Sequence, residues 1–250
     1  MAERLRRSFS YLQRPILTSW VVTRHGALIA ARSMQASRAK PPATKLALVA
    51  TGSILIGLGI SLYIHARLGL PPYDVLLSSI VAHTGLSHGQ AGWAISGSLL
   101  LVATLLGRRP STYGLVFVVA NGASIDVWAQ LLVDPIGLGT RVLFVILGII
   151  AVAGGIAVVA HSSATGGPFE LLTGAAQDRG VNPTMFRSGL EMATVGLGIA
   201  LGGQLGFGTL AFVVTIGPAI SFIVQALADR QTGRDHRLDA SRDDHHLSNS

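Results

Sequence analysis

The segment LGLPPYDVL, residues 68–76, interrupts a strongly hydrophobic chain with two prolines and an acid. A related segment, TGGPFELL, occupies residues 165–172. Because proline lacks an N–H group and fits the first turn of a helix, Pro72 and Pro168 each predict the start of a new helix. The segments that follow, about 72–83 and 168–178, are too short to cross a bilayer, which needs about 20 apolar residues.

Six longer apolar runs flank these two breaks, and each has about the length of a membrane-spanning helix. They lie at roughly 46–66, 88–106, 112–132, 141–161, 184–202 and 209–228. Half of the residues are hydrophobic and 12% are charged, whereas soluble domains carry roughly 25% charged residues. The composition therefore predicts an all-α polytopic membrane protein with six spanning helices and two short re-entrant helices.

The hydrophobic region is an internal repeat. Residues 115–132 and 210–227 are identical at eight of eighteen positions at an offset of 95, and Pro72, Asp74 and Leu76 match Pro168, Glu170 and Leu172 at an offset of 96. Each repeat contains a spanning helix, a broken loop with a short helix, and two further spanning helices. Because three crossings is an odd number, the second repeat enters from the opposite side, as in many secondary transporters.

These boundaries divide the chain into four parts: a basic arm (1–45), membrane repeats at 46–132 and 141–228, and a C-terminal tail (229–250). The arm holds nine Lys or Arg residues and one acid, which is typical of a disordered or interfacial segment attracted to anionic lipid. We expect the protein to start at either Met1 or Met34.

The distribution of charge predicts the orientation. With six crossings, the positive-inside rule places both termini in the cytoplasm of a bacterial plasma membrane. The inner side then carries Arg108, Arg109, Arg179 and Arg187, and the outer side carries Arg67, Asp134 and Arg141.

Asp74 and Glu170 are equivalent acids that follow the two prolines. One interpretation is structural, because an acid in the third helical position offsets the helix dipole and bonds free N–H groups. The other is that both acids face a shared cavity as cation or proton sites. In that case we expect the two re-entrant loops, which contain Pro72, Tyr73, Pro168 and Phe169, to approach each other. His65 and His161 precede the acids by nine residues and are either proton relays or residues of the headgroup region.

Arg187 and Glu191 lie four residues apart on one face of a predicted spanning helix. Such charges are costly in a membrane and generally face the bundle interior. The first repeat has Gly92 and Ser96 at these positions, so the fold does not require the pair. If the pair is structural, replacing Glu191 leaves Arg187 uncompensated. Asp126, which corresponds to Ser221, is a further candidate or an interfacial residue.

Other chemical signatures are missing from the sequence. It has no nucleotide-binding P-loop, no dinucleotide-binding fingerprint after a strand and no HExxH zinc motif. We therefore expect no cofactor, no metal site and no enzymatic activity. The basic excess lies in the arm beside the membrane, which indicates lipid rather than nucleic acid as the partner. The sequence is also compatible with a homo-oligomer.

Five segments together resemble the YczE/YitT-type family of bacterial integral membrane proteins: LGLPPYDVL, LLGRRPSTYGL, GASID, RSGLE and LGGQLGFGTL. Tyr73 stands where the family usually has tryptophan, and STYG in the first repeat replaces the GFGT of the second. The resemblance covers roughly residues 46–228. It implies a membrane location and a fold more than a reaction.

The repeat, the broken loops and the acids favour a secondary transporter of an unidentified small molecule or ion. The alternative is a non-transporting scaffold or regulator of another membrane assembly.

Overall fold

The computed structural model describes residues 41–162 and 167–226. Every regular element in these ranges is an α-helix, as predicted. In chain order the helices are α1 (Pro42–Ala66), α2 (Pro72–Thr84), α3 (His88–Leu105), α4 (Thr112–Leu131), α5 (Leu138–His161), α6 (Pro168–Gln177), α7 (Pro183–Ala200) and α8 (Phe207–Ala226). Most of the predicted basic arm and all of the predicted tail lie outside the described residues, as do residues 163–166 of the second broken loop.

Four of the described helices are long and apolar enough to cross a membrane: α1, α4, α5 and α8. The other two predicted spans form helices of 18 residues, α3 and α7. At 1.5 Å per residue each measures about 27 Å, slightly less than the hydrocarbon core of about 30 Å. Both also carry polar residues in their first halves, which lowers their hydropathy.

The short helices α2 and α6 have 13 and 10 residues, which corresponds to about 20 and 15 Å. Each begins with a proline in its first turn, as the sequence predicts. Asp74 and Glu170 lie in these first turns. Neither helix is long enough to cross the hydrocarbon core.

Glycines hold α1 and α5 against each other. A Cβ atom built on Gly52 would lie 2.7 Å from the carbonyl oxygen of Gly155, and one built on Gly59 would lie 2.7 Å from that of Gly148. Small residues allow helix backbones to approach this closely. Because the higher-numbered glycine of α1 meets the lower-numbered glycine of α5, the two helices run antiparallel.

Helix α4 packs beside α1 in the same direction. The Ser124 hydroxyl donates a hydrogen bond to the carbonyl of Ile54 (3.1 Å), and the Ser61 hydroxyl donates one to the carbonyl of Ile125 (2.9 Å). Beyond the ends of both helices, Arg67 and Asp134 form an ion pair at 2.8 Å. The residue numbers rise together along the contact, so α1 and α4 are parallel.

Helices α3 and α8 run against the direction of α1 and α4. The Trp93 indole N–H of α3 donates to the carbonyl of Val118, and the Gly89 N–H donates to Asp126. On α8, Phe212 contacts the buried Tyr63 edge to face, with ring centroids 5.9 Å apart. One turn before Phe212, the Gly208 N–H donates a hydrogen bond to the carbonyl of Leu68 at 2.7 Å.

The short helices pack across the two halves of the chain. Helix α2 lies on α7, where Gly198 leaves room for the backbone of Leu76. In the turn after α7, the N–H of Gln204 donates a hydrogen bond to the Ser78 hydroxyl. Helix α6 lies on α3, where Arg179 donates to the carbonyl of Leu106. Each short helix therefore contacts the third helix of the other half.

Candidate functional site

The two short helices meet at their first turns. The rings of Tyr73 and Phe169 contact each other edge to face, with centroids 5.5 Å apart and planes inclined by 78°. This arrangement places the positive ring edge against a negative ring face. The prediction that the two broken loops approach each other is confirmed at these residues.

Arg187 joins two carboxylates from different helices. Its Nε donates to Glu191 Oε1 at 2.9 Å, which confirms the pair predicted from their spacing. Its Nη1 donates to Glu170 Oε1 at 2.8 Å, a contact that links α7 to α6. The expectation that replacing Glu191 leaves Arg187 uncompensated is therefore wrong, because Glu170 remains in contact.

Asp74 has a different environment from Glu170. The residue is 3% exposed, and its Oδ1 is buried with no hydrogen-bond partner among the described residues. It occupies the third helical position, as predicted, and its N–H donates to the carbonyl of Pro71. Pro71 is the N-cap and Pro72 follows it. Since neither proline has an N–H group, the reciprocal bond of a capping box is impossible here.

The residues around Asp74 correspond to the Arg187 cluster by the repeat. Ser96, at the position equivalent to Glu191, lies 3.5 Å from the Tyr73 hydroxyl. Gly92, at the position equivalent to Arg187, faces Leu77 of α2, whose Cδ1 would lie 3.4 Å from an added Cβ. One half therefore offers an acid with an arginine, and the other offers an acid with a glycine and a hydroxyl.

An open groove of about 530 Å³ runs beside this region. It joins the start of α2 to α7 and is lined by Pro72, Ser188, Glu191, Met192, Val195 and Gly196. The Glu191 side chain is 54% exposed, so it lines this groove and does not lie in the packed interior.

Asp126 and the histidines have other contacts. Asp126 accepts hydrogen bonds from the Ser87 hydroxyl (2.6 Å) and the Gly89 N–H (2.8 Å), so it caps the start of α3. His65 contacts the Ser61 carbonyl through Nδ1, and its Nε2 lies 3.8 Å from Asp134. His161 is the last residue of α5. His65 and His161 lie in the last turns of α1 and α5, whereas Asp126 lies within α4 and contacts the start of α3.

The helical region matches one known family. Residues 43–225 match the family described as "Family of unknown function (DUF6198)". The chain belongs to this family.

Three relatives of this DUF6198 chain are each 28% identical to it. An uncharacterized protein of Haemophilus influenzae aligns over 70% of this chain and 80% of its own length. The uncharacterized protein YyaS of Bacillus subtilis aligns over 72% of this chain and 91% of its own length. The uncharacterized membrane protein YczE of Bacillus subtilis aligns over 68% of this chain and 81% of its own length. No solved structure matches. The resemblance to a YczE-type family is confirmed, and with its apolar helices the chain is an integral membrane protein.

One charged cluster in this DUF6198 chain was not predicted from the sequence. Arg108 donates to both carboxylate oxygens of Asp178, from Nε at 2.6 Å and from Nη2 at 2.8 Å. The hydrogen bond from Arg108 lowers the pKa of the Asp178 carboxyl. The sequence places Arg108 and Arg179 on one side of the membrane but contains no signal for Asp178 as their partner, since the contact joins residues 70 positions apart.

Metal ligands are not grouped in the described part of the chain. No set of three or more His, Cys, Asp or Glu residues there is arranged to hold a metal ion.

Proposed function

We propose that this protein is a secondary transporter of a small solute or ion, built from two inverted repeats. The observation that carries the proposal is the contact between Tyr73 and Phe169, which brings together the acid-bearing first turns of two equivalent short helices. Broken helices that meet inside a bundle form the substrate sites of many such transporters. Irregular backbone at membrane depth is tolerated where it lines a cavity or is buried in protein.

The glycine contacts support the inversion. At the repeat offset of 96, Gly52 corresponds to Gly148 and Gly59 corresponds to Gly155. Gly52 packs on Gly155 and Gly59 packs on Gly148, so each glycine contacts the equivalent of the other. Such reciprocal contacts are the signature of a two-fold axis. Because α1 and α5 are antiparallel, this axis lies in the membrane plane.

The helix directions support six crossings. Helices α1 and α4 are parallel and long enough to span, so the chain between them returns through the membrane. Helix α2 is too short for this, whereas α3 runs in the required direction. Helices α5 and α8 are both antiparallel to α1 and hence parallel to each other, so the chain between them, which contains α7, returns as well.

The ion pairs support the orientation, with both termini in the cytoplasm of a bacterial plasma membrane. Arg108, Asp178 and Arg179 cluster at one end of the bundle, whereas Arg67 and Asp134 pair at the other. The basic end is cytoplasmic by the positive-inside rule.

In this proposal the substrate site lies between Asp74 on one side and Glu170, Arg187 and Glu191 on the other. The two halves rock about the glycine contact of α1 and α5 and expose the site to each side in turn. The protein binds and releases its substrate without changing it, and no cofactor takes part.

Reconstitution into proteoliposomes tests the proposal. A panel of amino acids, organic cations, sugars and inorganic ions is offered with and without a pH gradient, and flux is compared with that of protein-free vesicles. A matched variant, Glu170→Gln/Arg187→Gln, keeps the net charge while removing the cluster, and we expect it to lose the flux. A folded protein that moves no solute and co-purifies with another membrane assembly supports the scaffold alternative instead.

A further inference from the structure

The two equivalent acids differ in their counter-ions. Glu170 has the guanidinium of Arg187 at 2.8 Å. At the position equivalent to Arg187 the first half has Gly92. We propose that a proton takes the place of this missing arginine, so that Asp74 is the proton-carrying residue of the transport cycle; this inference rests on the proposed function.

The surroundings of Asp74 contain no available cation in the described residues. Helix α2 packs against α3 and α7 and contacts α6 through Tyr73 and Phe169. Besides Asp74, the titratable or charged side chains of these helices are Tyr73 and His83 on α2, His88 on α3, Glu170 on α6, and Arg187 and Glu191 on α7. Arg187 is engaged by two carboxylates, and the His83 ring contacts the Ser79 carbonyl. The sequence of residues 163–166, SATG, adds no charge.

Burial makes the protonated form of Asp74 the more stable one. An ionised carboxylate that is buried without a partner costs far more free energy than a neutral acid, and such groups avoid this cost by binding a proton. Asp74 is 3% exposed and its Oδ1 lacks a partner among the residues described. Glu170, in contrast, has the Arg187 guanidinium as a direct ion-pair partner.

The position of Asp74 suits proton exchange between the two sides. Pro72, two residues earlier, lines the open groove. When the site opens to one side, water delivers a proton to a carboxylate oxygen of Asp74, and the neutral acid is then enclosed. When the site opens to the other side, the O–H bond breaks and the proton returns to water. One proton crosses per cycle, and the pH gradient supplies the free energy.

Infrared difference spectroscopy of proteoliposomes tests the proposal without requiring transport. A protonated carboxyl group has a C=O stretch separate from the carboxylate bands. We expect this band at neutral pH in the wild-type protein, its loss in Asp74→Asn, and its retention in the equivalent control Glu170→Gln. A band that persists in Asp74→Asn, or that only Glu170→Gln removes, overturns the proposal.

A second variant leaves Asp74 in place. Gly92→Arg recreates the arrangement of the other half, and its guanidinium should convert Asp74 to the carboxylate and abolish the band. Gly92→Met, of similar length but uncharged, should retain it. Equal bands in the two variants count against the proposal. The band reports the protonation of Asp74 and does not depend on transport. A band without solute flux contradicts the proposed transport function but leaves Asp74 as a protonated site. Solute flux without the band contradicts only the proposal that Asp74 carries the proton.

Discussion

Tyr73 and Phe169, equivalent residues in the two halves of the chain, contact each other edge to face with ring centroids 5.5 Å apart. Each follows the proline that starts its short helix, and each precedes an acid. The contact therefore marks the place where the first turns of the two short helices, which carry these acids, meet.

Cysteines at these two positions should crosslink within one molecule. The chain has no native cysteine, so Tyr73→Cys/Phe169→Cys reacts without background. We expect efficient intramolecular linkage by oxidation or a short bifunctional reagent, measured as altered gel mobility. The single variants control for linkage between molecules. Dimers from the double variant, without an internal crosslink, would contradict the contact.

Gly155→Ala should destabilise the protein, whereas Gly154→Ala should not. A Cβ at Gly155 would lie 2.6 Å from the Gly52 carbonyl oxygen, but one at Gly154 meets nothing within 4 Å. Overpacking costs about 1–3 kcal/mol, and both variants share the gain in helix propensity of roughly 1 kcal/mol. Thermal unfolding in detergent measures the difference. Equal melting temperatures would show that α1 and α5 do not pack through these glycines.

Replacing one acid beside Arg187 should be tolerated better than replacing both. In Glu191→Gln or Glu170→Gln the arginine keeps one carboxylate, but the double variant leaves its charge uncompensated. We expect a coupling of about 0.5–3 kcal/mol beyond the sum of the single effects, measured by thermal unfolding. The triple variant with Arg187→Gln, which removes the charge as well, should recover stability. Strictly additive effects would argue against the shared arginine.

Asp178→Asn should lower stability at neutral pH and weaken its dependence on acid. Arg108 lowers the pKa of Asp178 in the folded protein. The pair therefore contributes fully above the ordinary aspartate pKa near 4, and this contribution is lost as the pH falls through the lowered value. Because Asp178 is half exposed, we expect about 0.2–1 kcal/mol.

Unfolding measured from pH 7 to pH 3 checks this expectation for Asp178. Arg109→Gln is the matched control, since it removes a neighbouring positive charge without touching the Arg108–Asp178 pair. An Asp178→Asn profile that coincides with the wild type at every pH would exclude a contribution from the pair.

Reporter fusions should place the C-terminus inside and the start of α5 outside. The proposed six crossings require a cytoplasmic fluorescent reporter after Ser250 and an active secreted phosphatase fused near Gly139. Activity of the phosphatase at the C-terminus would overturn the topology and the inversion together.

Local features of the sequence were sufficient to predict the helices. Prolines start α2 and α6, and the runs of apolar residues correspond to the six longer helices with differences of a few residues at their ends. The spacing of Arg187 and Glu191 predicted their ion pair because four residues make about one helical turn. The relationship between the repeats was also visible in the sequence, and with it the expectation that the broken loops approach each other.

The tertiary structure decided which acid has a partner. Glu170 reaches Arg187 across two helices, Asp126 caps α3, and Asp178 binds Arg108. Each contact depends on how helices cross, which no local spacing encodes. The isolation of Asp74 has the same origin: a glycine in place of arginine is neutral in the sequence. It becomes significant because α3 places Gly92 against α2, where Asp74 is buried and its Oδ1 has no hydrogen-bond partner among the described residues.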